Sequence, residues 1–155
     1  MSFQIRALPL EPFAALFSMS DTQLLEHGAV RRTVDASPGY PCRVSLEDAA
    51  IGESVILVNF EHQPAHTPYR ASHAIYVREG AVQAQPKAGD IPEVLRRRLL
   101  SVRAFDDAGM MLDADVVAGS DLDPAIQRMF SDARVRYLHL HNAKPGCYAA
   151  RVDRA

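Results

Sequence analysis

Polar and apolar residues alternate from Tyr137 to His141. After Asn142–Gly146, which contains the turn pair Pro145-Gly146, an extended pattern resumes from Cys147 to Val152. This predicts a β-hairpin with a five-residue connection. With His141 opposite Cys147, period-2 alternation puts Tyr137, His139, His141, Cys147 and Arg151 on one face and Leu138, Leu140, Tyr148, Ala150 and Val152 on the other. The assignment hangs on register, because one extra residue in either strand separates Cys147 from the histidines.

The same patterning predicts strands over Phe3–Leu8, Ala29–Val34, Ser72–Glu79, Leu99–Phe105 and Met110–Val117. Ser54–Phe60 is almost continuously apolar and β-branched, which suits a strand buried on both faces. Glu61–Arg70, with two prolines and two histidines, reads as an unpaired connection, and Val44–Ala50 fits either a helical turn or an irregular link. Ser20 with Gln23 and Asp90 with Glu93 have the form of capping boxes, opening helices over Asp21–His27 and to about Arg98. Ser120–Ser131 is the clearest helix, with Leu122, Ile126, Met129 and Phe130 available to the core. In the hairpin around Asp106–Gly109, Leu100, Val102 and Ala104 are expected to share a face with Leu112, Ala114 and Val116, leaving Arg103 beside Asp113 and Asp115 for a cross-strand ion pair.

About six or seven strands, several joined as hairpins, and about three short helices predict an α+β domain. The expected architecture is one mostly antiparallel sheet with the helices on its apolar face. The polar face would form a pocket if roofed by the loops at 36–43 and 61–72.

At 155 residues the chain fits one domain, 1–155, long enough to bury roughly two thirds of the surface its unfolded form exposes. It contains no apolar run of about 18 residues for a membrane span. The N-terminal apolar residues are broken by Gln4, Arg6, Pro9, Glu11 and Pro12, a poor signal peptide, so a cytoplasmic location is expected. Net charge is −2 with no concentrated basic patch, which argues against nucleic-acid binding. The run Arg96-Arg97-Arg98 reads as a solvated helix face. Two cysteines, Cys42 and Cys147, are too few for a disulfide framework.

Scattered single glycines argue against a Rossmann or P-loop phosphate-cradling loop, and no G-x-S-x-G elbow, CxxC or HExxH spacing occurs. The chain resembles, over nearly its full length, the short bacterial proteins of the Domain of Unknown Function 1203 family. Four stretches carry the resemblance: Pro41–Leu46 (PCRVSL), Glu61–Pro64 (EHQP), Ser72–Arg78 (SHAIYVR) and His141–Cys147 (HNAKPGC). It implies a bacterial protein and brings no activity, cofactor or catalytic residue.

Three readings follow from the residues themselves. In the first, a small anionic ligand is held in a pocket for binding or for catalysis. Cys42 or Cys147 is the nucleophile, a histidine among His73, His139 and His141 is the base, and Arg43, Arg78 or Arg151 is the anion clamp, with Asn142 at the ligand. The bland alternative for either cysteine is a small buried hydrophobe. In the second, His139, His141 and Cys147, joined by His73 or Cys42, hold zinc, against which stands the common use of His-x-His as an exposed polar strand face. In the third, the polar face or a strand edge is a non-enzymatic interaction surface.

Overall fold

Every segment read as a strand from sequence forms one, but the ten strands of the fold, more than the six or seven expected, divide between two sheets instead of lining up in one. The computed structural model describes residues 1–155. The first strands are β1 (Phe3–Arg6), β2 (Val30–Thr33), and two-residue β3 (Pro41–Cys42) and β4 (Glu47–Asp48). They are followed by β5 (Ser54–Gln63), β6 (Ala71–Arg78), β7 (Leu99–Phe105), β8 (Met111–Ala118), β9 (Tyr137–Asn142) and β10 (Tyr148–Arg154). One sheet has the order β1-β10-β9-β7-β8 and is antiparallel throughout. The other has the order β2-β5-β6-β3-β4, with only β3 and β6 parallel. The divide falls in the segment between β6 and β7, and β1 reaches the far sheet by pairing with the last strand, Phe3 opposite Arg154. Alternation reports which face a residue takes and is silent about which strand lies next to it, so the single sheet expected from sequence is corrected here.

Three short α-helices form: α1 (Asp21–Glu26), α2 (Glu93–Arg96) and α3 (Leu122–Phe130). Helix α1 has the predicted capping box, Ser20 and Gln23 each bonding the other's backbone N–H. Helix α2 starts at Pro92 with no side-chain cap, so the Asp90–Glu93 box is not made. The helices do not share one face of one sheet. Leu122, Ile126, Met129 and Phe130 of α3, with Val94 and Leu95 of α2, pack on Leu100, Val102, Leu138, Leu140 and Val152 of the first sheet. Leu24 of α1 and Phe13 and Leu16 of a 3-10 segment cover Ile56, Val58, Ile75 and Val77 of the second.

Register changes what the two hairpins present. In the C-terminal hairpin His141 pairs with Tyr148 and His139 with Arg151, because Ala149 is bulged out of the ladder. Tyr148 therefore joins His139 and His141, and Cys147 belongs to the turn. In the other hairpin Val102 faces Asp115 and Ala104 faces Asp113, which puts both acids on the α3 side. There they pair with Arg128, at 3.4 and 2.7 Å, in place of the expected Arg103.

Strand β5 runs three residues past Phe60, through an irregularity, to Gln63. That extension swings His62 and Gln63 over the polar face of the first sheet. Gln63 donates to the Tyr137 hydroxyl at 2.9 Å and Thr67 to the Gly109 carbonyl at 3.2 Å, so the 61–72 segment does roof that face. No helix of the chain is long and apolar enough to cross a membrane.

Candidate functional site

Two neighbouring arrangements meet at β6 and the β9–β10 turn. The first is a cleft of about 910 Å³ whose walls include Arg43, His73, Arg98, Asn142, Lys144 and Cys147. Arg97 also lines it, so four cationic residues and no carboxylate line the space. Asp48 pairs with both Arg97, at 3.4 Å, and Arg98, at 2.5 and 3.0 Å; Arg96 and Arg97 are exposed, as a solvated helix face requires, and Arg98 alone is half-buried.

Arg43 is the most unusual residue of this wall, because it is only 2% exposed and has no carboxylate partner. Its donors go to the Tyr148 carbonyl at 2.7 Å, the Pro41 carbonyl at 2.5 Å and the Cys147 Sγ at 3.0 Å. Burial pushes the guanidinium down from its ordinary value, and the charge and acceptor capacity of the Cys147 sulfur are the first influences opposing this. Asn142 donates to the same sulfur at 3.5 Å. The turn supplies this placement: Asn142 N–H bonds the Cys147 carbonyl and Gly146 N–H the Asn142 carbonyl, folding residues 142–147 so that the sulfur points back at Arg43.

The second arrangement is a cluster of four of the chain's six histidines. His139 and His141 come from β9, His62 and His73 from β5 and β6 of the opposite sheet. The His62 ring stacks on Tyr148 (centroids 5.3 Å, 10° between planes) and on His73 (4.9 Å, 19°), and meets His141 edge-on at 4.8 Å. His62 Nε2 and His73 Nδ1 are 2.8 Å apart, and His141 Nδ1 lies 2.9 Å from the Gly146 carbonyl. A carbonyl only accepts, so His141 carries its proton on Nδ1 and a lone pair on Nε2. Burial pushes His62 down to about 4, and His139 and His141 down to about 3. Neighbouring imidazoles and the Arg103 guanidinium push the same way, leaving a neutral cluster at physiological pH. His62 Nδ1, His139 Nδ1 and His141 Nε2 are buried with no partner.

The residues singled out from sequence thus separate. Arg43, His73, Asn142 and Cys147 line the cleft; His139 and His141 lie in the buried cluster. Cys42 is 1% exposed among aliphatics, its sulfur accepting from the Ser45 and Arg78 backbone N–H groups. Arg78 pairs with Glu53 at 3.2 Å. Arg151 lies over the Tyr137 ring at 4.1 Å and bonds Asp153. Neither arginine lines the cleft. His62 was missed because Glu61–Arg70 read as unpaired; its signal was the continued alternation Ile56, Val58, Phe60, His62 along one strand.

The fold and this site define an α+β protein of two five-stranded sheets with a cationic, cysteine-bearing cleft beside a histidine cluster. The chain belongs to the family described as Protein of unknown function (DUF1203), whose match covers residues 39–154 and so takes in every residue of both arrangements. Neither the curated proteins nor the solved structures contain a match.

Proposed function

We propose that the protein binds a small anionic molecule in the cleft and presents the Cys147 sulfur to it as a nucleophile, with Arg43 and Asn142 as its hydrogen-bond donors. One observation carries this reading: four cationic residues and no carboxylate line a cleft at whose wall the sulfur accepts from a buried guanidinium at 3.0 Å. A guanidinium supports the thiolate, the reactive form of cysteine. No histidine base takes part in this reading. Even with Asp48 paired to Arg97 and Arg98, the wall keeps a cationic excess, and a concave wall with an excess of one charge concentrates ions of the other. Cys42 has no part in this reading, since its sulfur is already occupied by backbone donors in the core.

Alkylation tests the idea directly. Iodoacetate, an anion, and iodoacetamide, its neutral counterpart, are compared on the native protein, with the modified residue located by mass spectrometry. Relative to a free cysteine, Cys147 should favour iodoacetate by about 10-fold or more, and salt should erase the preference. A ratio equal to that of free cysteine, or labelling of Cys42 ahead of Cys147, refutes the proposal.

A further inference from the structure

We infer that His62, His73 and His141 form a binding site for one divalent transition-metal cation of the zinc class. One ring nitrogen from each lies within 4.8 Å of the other two, and the three come from three different strands in two sheets. This set differs from the one suggested by sequence: Cys147 is engaged by Arg43 and Asn142, and His139 lies farther from His141, at 6.4 Å between centroids, than His62 or His73 does.

One of the three imidazoles is already poised as a ligand. His141 is fully buried and gives its Nδ1 proton to the Gly146 carbonyl, which leaves the Nε2 lone pair buried and unpartnered. A carbonyl holding the second nitrogen is the usual support of a metal-bound histidine. The His62 ring is clamped by stacking against Tyr148 and its Nδ1 is buried without a partner, while its Nε2 shares a 2.8 Å hydrogen bond with His73 Nδ1 that a metal at either of those nitrogens replaces. His73 is the adjustable member. It is half-buried and lines the cleft, which gives a cation a route in. Zn–N bonds of about 2.0–2.1 Å in a tetrahedron require nitrogens about 3.3 Å apart. Closing the 4.8 Å span therefore takes about 1.5 Å, within the broad torsional range of an imidazole ring.

The donor set selects the ion. Three neutral imidazoles with no carboxylate suit zinc, copper or nickel and leave magnesium and calcium without oxygen ligands. The Arg103 guanidinium is on the histidine face of β7, opposite His139, and opposes a bare cation. A metal held by three histidines therefore completes its shell here with an anion, hydroxide or a carboxylate, which Arg103 favours.

The test is zinc and cobalt titration of the untagged, chelator-stripped full-length chain, with metal content read by elemental analysis. One equivalent should bind. The cobalt form should show the visible d–d bands of a low-coordinate nitrogen site, without the near-ultraviolet charge-transfer band of a cobalt–thiolate bond. His73→Ala and His141→Gln should each weaken zinc binding by about 100-fold or more, whereas Cys147→Ser should leave it unchanged while abolishing alkylation. His73 is half-buried, so its variant decides the outcome should His141→Gln fail to fold. Substoichiometric zinc in the wild type, undiminished zinc affinity in a folded His73→Ala protein, or a thiolate charge-transfer band overturns the inference. None of these outcomes bears on the iodoacetate preference, so the two readings fail separately.

Discussion

Replacing Arg43 by methionine probes the centre of the cleft while conserving most of the side-chain volume. The guanidinium serves two buried main-chain carbonyls and one sulfur, at 2.7, 2.5 and 3.0 Å. Each buried acceptor stripped of its donor costs about 1–3 kcal/mol, while removal of a buried charge with no carboxylate partner returns part of that. The net loss of stability should be about 2–4 kcal/mol, a large share of a typical total of about 5–15 kcal/mol. Urea unfolding followed by circular dichroism measures it as a fall in midpoint at constant slope. The same variant loses the charged hydrogen bond to the sulfur, which contributes about 1.5–3 kcal/mol, so Cys147 alkylation at pH 7 should slow by about 10-fold or more. Arg43→Lys should recover part of the alkylation rate but little stability, because an ammonium does not reproduce the fork that reaches three acceptors. An Arg43→Met protein with wild-type midpoint and wild-type alkylation rate would show that the buried guanidinium supports neither the turn nor the thiol.

Two further outcomes follow from the histidine cluster and the helix packing. In metal-free protein His62, His139 and His141 stay neutral down to about pH 3–4 when folded, whereas the unfolded chain protonates them near 6.5. The unfolded state thus binds more protons below pH 6.5, and stability should fall as pH falls from 6.5 towards 4, by at most about 4 kcal/mol per pH unit for three histidines. Urea midpoints measured at pH 7, 6 and 5 check this, and a flat profile would contradict burial of the cluster. Gly119→Ala should prevent or severely weaken folding, since a Cβ there would lie 2.0 Å from the Leu95 carbonyl oxygen and 2.5 Å from that of Arg96. Expression yield and thermal midpoint report it, and a wild-type midpoint would mean that α2 can move away from the segment leading into α3.

The elements of this protein were legible in its sequence because they depend on local physics. Alternation, and for β5 a continuous apolar run, located the longer strands, the Ser20–Gln23 box fixed the start of α1, and the spacing of Leu122, Ile126, Met129 and Phe130 gave α3 its buried face. Four residues of the cleft wall were legible too, since Arg43, His73, Asn142 and Cys147 were singled out by type, whereas Arg97, Arg98 and Lys144 were not. Tertiary structure alone decided how they are grouped. The turn sets Tyr148 in place of Cys147 opposite His141, and the bulge at Ala149 shifts the ladder one further position so that Arg151 faces His139; the alternating pattern specifies neither shift. His62 joins the cluster only because β5 continues past Phe60 and the second sheet closes over the first. That closure depends on contacts between residues about 75 positions apart, such as Gln63 with Tyr137, whose pairing no local periodicity encodes.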